Sequence, residues 1–226
     1  MKCSRFLILF GLLVLVSVPA VMGARGGLKG VSSVVVHPKV KAPGYLIYFG
    51  TTDAVLSGLW GMAPGMEPDK EGRKLERLLE GRGFSITKTF LKDFQQALRN
   101  SEVFSYKGSS GTPKAYLYVT RYGVGVAPTG FKRLKPVIEG EISIVDANGD
   151  EMYYDMTKID SAADSVRGAS YDEYVANSAQ LEKDLRVLSQ MLAERLVTRM
   201  ERKSGSKAGS SATTVTKKKQ SKYRSK

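Results

Sequence analysis

The stretch PVIEGEISIVDANGDEMYYDM, residues Pro136 to Met156, decides the fold. Ile138, Ile142 and Ile144 alternate with polar residues, Asp146-Ala-Asn-Gly149 interrupts the run, and Glu151 to Met156 resumes it. Asn-Gly tolerates the positive φ of a tight turn, so the stretch predicts a β-hairpin. Glu139 and Glu141 alternate with the isoleucines and read as the solvated outer face of that hairpin.

Working outward, Lys114 to Val126 alternates Tyr116, Tyr118, Thr120 and Tyr122 against Ala115, Leu117 and Val119, which predicts a longer strand. Gly123, Gly125 and Pro128 mark its end or a bulge, and Val103 to Tyr106 reads as a short strand before it. Ile86, Phe90, Phe94, Ala97 and Leu98 recur at helical spacing until Asn100-Ser101. A preceding helix is expected from Pro68 to Glu80, ending at Gly81-Arg-Gly83, with Leu75, Leu78 and Leu79 as its apolar face. Val31 to Val36 and Gly44 to Gly50 read as the first two strands.

Downstream, Ile159 to Ala169 is polar and rich in small residues, a connecting loop. Ser170 and Glu173 have the spacing of a capping box, and one long helix is expected from Tyr171 to about Arg202. Tyr174, Leu181, Leu185, Leu188, Leu192, Leu196 and Met200 supply its buried face. The expected fold is therefore a single α+β domain. A mixed or antiparallel sheet with a β-hairpin is packed by two or three helices, including a long C-terminal one.

The two ends differ from this middle. Lys2 and Arg5 precede an apolar run from Phe6 to Val18 with a small-residue exit at Gly23-Ala24, the layout of a signal peptide over residues 1–24. At thirteen residues the run is shorter than the roughly 20 that span a bilayer as a helix, so the leader reads as cleaved and the protein as exported. The α+β domain then occupies 25–202, and 203–226 is a Lys-rich tail too poor in apolar residues to order itself.

The net charge of +13 divides unevenly. Arg25 to Glu201 holds 24 Lys+Arg against 22 Asp+Glu, whereas Arg202 to Lys226 holds nine basic residues and no acid. A nearly neutral domain carries a basic tail, which argues against a nucleic-acid-binding surface on the domain. Cys3 is the only cysteine and lies in the leader, so the mature chain forms no disulfide and offers no thiolate.

No residue type reads as catalytic, and no cofactor or metal is indicated. His37 is the only histidine and follows a strand without a nucleophile signature near it. Glu139 and Glu141 could serve a hydrolase only if they converged in a cleft. Tyr122-Gly-Val-Gly125 lacks the third glycine of a dinucleotide fingerprint. Two segments read as contact surfaces instead. Leu59, Trp60, Met62 and Met66 form an apolar, glycine-broken loop suited to a protein or lipid partner. Lys217, Lys218, Lys219, Lys222, Arg224 and Lys226 in the tail suit anionic polymers or lipid headgroups.

The helix Thr87 to Asn100 leading into Ser101-Glu-Val-Phe-Ser-Tyr106, together with Ile138-Glu-Gly-Glu-Ile-Ser-Ile-Val-Asp-Ala-Asn-Gly149, resembles bacterial envelope α/β domains. These are the domains related to the TolB amino-terminal domain, CsgG, and LpoB-type or uncharacterised lipoproteins. The resemblance implies a non-enzymatic interaction or assembly module of the envelope; the chain lacks the lipobox cysteine of many members. The expected partner is an envelope protein or an anionic envelope polymer or lipid, with peripheral membrane association and no specific nucleic acid. The alternative is a cell-wall polymer hydrolase using a carboxylate pair.

Overall fold

The computed structural model describes residues 27–49, 70–106, 111–126, 133–159 and 166–205. The apolar loop at Leu59, Trp60, Met62 and Met66, the leader, and the tail lysines fall outside these residues.

The hairpin forms as the alternation predicts. β4 (Leu134–Val145) and β5 (Glu151–Ile159) pair antiparallel, with Ile142 opposite Asp155 and Ile144 opposite Tyr153. In the turn, Asp146 Oδ1 accepts the N–H groups of Asn148 at 2.8 Å and Asp150 at 2.9 Å, and Gly149 takes φ +92°. β3 (Lys114–Val126) pairs antiparallel with β4, with a register shift between Val119 and Arg121. β1 (Val35–Val36) and β2 (Ile47–Phe49) both run parallel to β3 along its other edge. The result is a five-stranded mixed sheet in the order β1-β3-β4-β5, with β2 also beside β3.

β3 keeps the expected bounds, with Gly123 and Gly125 near its end, opposite Ile47 and Phe49. A Cβ on Gly123 would overlap the Ile47 carbonyl oxygen, so glycine is what lets the β2 backbone approach. The first strand shortens to two residues, and Val103 to Tyr106 contributes only an isolated bridge between Ser105 and Ser33. The long helix is two helices, α3 (Tyr171–Ala176) and α4 (Ser178–Lys203), interrupted at Asn177 with φ −131° and ψ 72°. Asn177 serves both: its N–H donates to the Glu173 carbonyl and its side chain accepts the Gln180 N–H. The capping box of Ser170 and Glu173 forms as its spacing predicts.

The remaining helices among the described residues are α1 (Lys70–Gly81) and α2 (Ile86–Arg99). Ser85 caps α2, and the 3–4 spacing buries Ile86, Phe90, Phe94, Ala97 and Leu98. α2 and α4 pack together over the sheet face that carries Leu117, Ile138, Ile142 and Ile144. Leu181, Leu185, Leu188, Leu192, Leu196 and Met200 close that core from α4. Polar groups inside it are matched: Tyr174 Oη donates to Asp184 at 2.9 Å, and Gln180 Nε2 donates to the other oxygen at 2.7 Å. Among the described residues, no helix is long and apolar enough to cross a membrane.

The α2–α4 contact gives a pH prediction. Ser189 Oγ donates to Asp93 at 2.7 Å, yet burial is the larger effect and pushes the Asp93 carboxyl above its ordinary 3.8. The folded state therefore holds this proton more tightly than the unfolded chain. Its stabilising contribution is full below pH 3.8 and is lost as the pH rises through the folded value. Asp93→Asn is expected to remove that loss, so the variant gains stability relative to the unsubstituted chain as the pH rises above 3.8, measured by urea unfolding at stepped pH. An unchanged slope would show that Asp93 is not desolvated in solution.

Candidate functional site

On the β1 side of the sheet the chain leaves β3 after His37 and rejoins it at Lys41. Between the pairs Val36–Ala115 and Lys41–Tyr118 the edge chain advances five residues while β3 advances three. His37 N–H donates to the Ala115 carbonyl at 2.9 Å, and the ladder resumes with Lys41 N–H on the Leu117 carbonyl and Val119 N–H on the Lys41 carbonyl. The residues between bulge away from β3.

That bulge walls a cleft of about 540 Å³ whose opposite wall is the first turns of α2. His37, Lys39 and Lys41 line it from the edge chain, Lys88 and Leu91 from α2, and Tyr116 and Tyr118 from β3. The His37 ring stacks on Tyr116 with centroids 4.9 Å apart and planes 24° from parallel. His37 Nδ1 lies 3.2 Å from the Lys39 backbone nitrogen and 3.4 Å from the Lys39 carbonyl oxygen, which ties the ring to the edge chain. Lys41 Nζ lies 5.5 Å from the Tyr118 ring centroid, within cation–π range. Lys39, Lys41 and Lys88 are exposed, and no carboxylate lines the cleft. It offers positive charge and aromatic surface, an arrangement that holds an anion rather than transfers a proton between two carboxylates.

Glu139 and Glu141 do lie on the sheet face away from the helices. Glu139 stands between Arg121 and Lys158, and Glu141 between Tyr118 and Met156. This outer face is less solvated than the alternation implied. Burial raises the Glu141 carboxyl above its ordinary range against the hydrogen bond from Tyr154, and burial with the nearby Glu141 pushes Tyr154 up to about 12. Neither carboxylate lines the cleft, and no cluster of potential metal ligands occurs among the described residues.

The sequence singled out His37 and the tyrosine alternation of β3 but not the lysines that join them. Lys39, Lys41 and Lys88 were legible only as scattered charges.

No family model matches the chain, and no curated protein matches it. Among solved structures, it is similar to a Xanthomonas campestris protein of the family model DUF330, at 12% identity and a TM-score of 0.43 over 74% of this chain and 82% of that one. An uncharacterized protein gives 15% identity and 0.36 over 75% and 90%. The PelC dodecamer from Paraburkholderia phytofirmans gives 10% and 0.31 over 76% and 94%.

Proposed function

We propose that this chain is an exported, non-enzymatic interaction module of the bacterial envelope that holds an anionic envelope component in the cleft between the edge chain and α2. One observation carries the reading: three lysines and a histidine line the cleft beside two tyrosines, with no carboxylate among the lining residues. A cleft lined by one sign of charge with low-dielectric walls concentrates field and ligand of the opposite sign. The leader supports export. The Lys-rich tail acts in this reading as a second, unspecific tether, and the loop at Trp60 as a further contact for a protein partner.

The test is binding of the purified chain to vesicles containing phosphatidylglycerol and to a soluble polyuronate, at low and high salt. Lys39→Glu, Lys41→Glu and Lys88→Glu together are expected to weaken binding of the recognised anion at least about tenfold, or roughly 1.4 kcal/mol, and to flatten its salt dependence. Ending the chain at Glu201 is expected to weaken both probes alike. Loss of binding on truncation alone, with the triple reversal silent, would move the anion site from the cleft to the tail.

A further inference from the structure

Among the described residues β5 is the last strand of the sheet, at the side opposite the cleft. In an antiparallel pair, alternate residues turn their backbone groups away from the partner strand. Here those are Tyr154, Met156 and Lys158, because side chains of α4 reach the last two from outside the sheet. Arg195 Nη1 donates to the Lys158 carbonyl at 3.1 Å, and Arg199 Nη1 donates to the Met156 carbonyl at 3.0 Å. The Met156 N–H is also taken, by Asp155 Oδ1 at 2.9 Å, and the same oxygen accepts from Arg199 at 3.0 Å.

Both backbone groups of Met156 are thus occupied by a clamp of one aspartate and one arginine. A free strand edge is a template for another strand, and charged side chains laid over it are one way to deny the pairing. The clamp is held loosely on its cationic side, since the Arg199 side chain is 42% exposed against 12% for Asp155. Met156 itself, on the outer face, is 45% exposed, the exposed large apolar side chain among the described residues.

We propose that the β5 edge is a strand-pairing site for a second copy of this chain, held closed by Arg195 and Arg199. The strand is self-complementary about Met156. An antiparallel two-fold there sets Met156 against Met156 of the second copy, burying both. It places Lys158 opposite Tyr154 of the second copy and Asp155 opposite Thr157 of the second copy. No like charges face each other; the Met156 and Lys158 carbonyls are released when Arg199 and Arg195 swing into solvent, and the Met156 N–H when Asp155, no longer paired with Arg199, turns away from it.

Sedimentation of the purified chain over two decades of concentration tests this. Arg195→Ala with Arg199→Ala is expected to tighten dimerisation at least about tenfold over the unsubstituted chain. Hydrogen exchange is expected to show new protection at the Tyr154 amide and stronger protection at that of Met156. Adding Tyr154→Pro, which removes an outward N–H that an edge strand can spare, is expected to abolish the dimer while the fold is kept. If the double variant fails to fold, Arg195→Ala alone frees the Lys158 carbonyl and is expected to strengthen association to a smaller degree. A folded double or single variant that associates no more tightly than the unsubstituted chain overturns the proposal. So does a dimer that survives Tyr154→Pro.

Discussion

Phe90→Ala is expected to lower the unfolding free energy by about 3–5 kcal/mol, the range for truncating a buried aromatic side chain. Phe90 is fully buried on α2, its ring meets Phe94 edge-to-face at 6.3 Å, and its Cζ lies 3.6 Å from where a Cβ on Gly140 would stand. It fills the junction between α2 and the middle of β4. Leu192 reaches the same point of β4 from α4, so the space left by alanine has rigid walls on several sides and collapses poorly. For a domain whose whole stability is on the order of 5–15 kcal/mol, such a loss removes a large fraction of it. Urea unfolding followed by circular dichroism measures the effect; a shift of less than about 1 kcal/mol would show that the junction repacks.

Gly140→Val is expected to be almost as damaging for the opposite reason. Gly140 sits in mid-strand between Val119 on β3 and Thr157 on β5, where a side chain would normally help the sheet. A Cβ there would stand 2.9 Å from Leu192 Cδ2 and 2.9 Å from the Tyr118 carbonyl oxygen. Valine must push α4 outward or distort β3, at a cost of about 1–3 kcal/mol or more. Leu192→Ala alone is expected to cost about 2–5 kcal/mol by opening a cavity. Because the methyls added by Gly140→Val enter the space that Leu192→Ala leaves, the two changes together are expected to cost less than their sum. Strict additivity in that double-mutant cycle would mean that the backbone of β3, not the helix, sets the limit.

Gly140 also shows where reading the sequence succeeds and stops. The alternation of Ile138, Ile142 and Ile144 with Glu139 and Glu141 locates β4 and its faces, because a strand's period is a local property of the chain. That the inward position between Ile138 and Ile142 must be empty depends on Leu192, which lies 52 residues further on. The same distinction runs through the fold. The Ser170–Glu173 capping box, the 3–4 spacing of α2 and the Asn-Gly turn are short-range and were legible. The break at Asn177 was not, because the apolar spacing of Tyr174 and Leu181 continues across it, while the caps on both sides come from a single asparagine.

The cleft was less legible than the fold. His37 and Lys41 lie near one another in sequence, but Lys88 joins them only because α2 packs over β3, and Tyr116 only because β1 is parallel to β3. Single residues with no spacing rule between them leave no periodic trace. The segments that stand out in the sequence are instead the Trp60 loop and the tail, where apolar and basic residues are contiguous.

The parallel pairing of β1 and β2 with β3 carries a consequence for how the chain is made. Roughly 80 residues separate Val35 from its partner Lys114, and Ile47 from Gly123 is nearly as far. A polypeptide emerging from its amino-terminal end therefore holds its first two strands without a partner until β3 has followed. The meander of β3, β4 and β5 then still lacks the helix that covers Ile138, Ile142 and Ile144, since α4 comes last of all the elements. A chain arrested before Ser178 presents the part of the apolar sheet face that α4 would cover, so the interval between β5 and α4 is the point in its biogenesis at which it most needs to be held apart from other copies of itself.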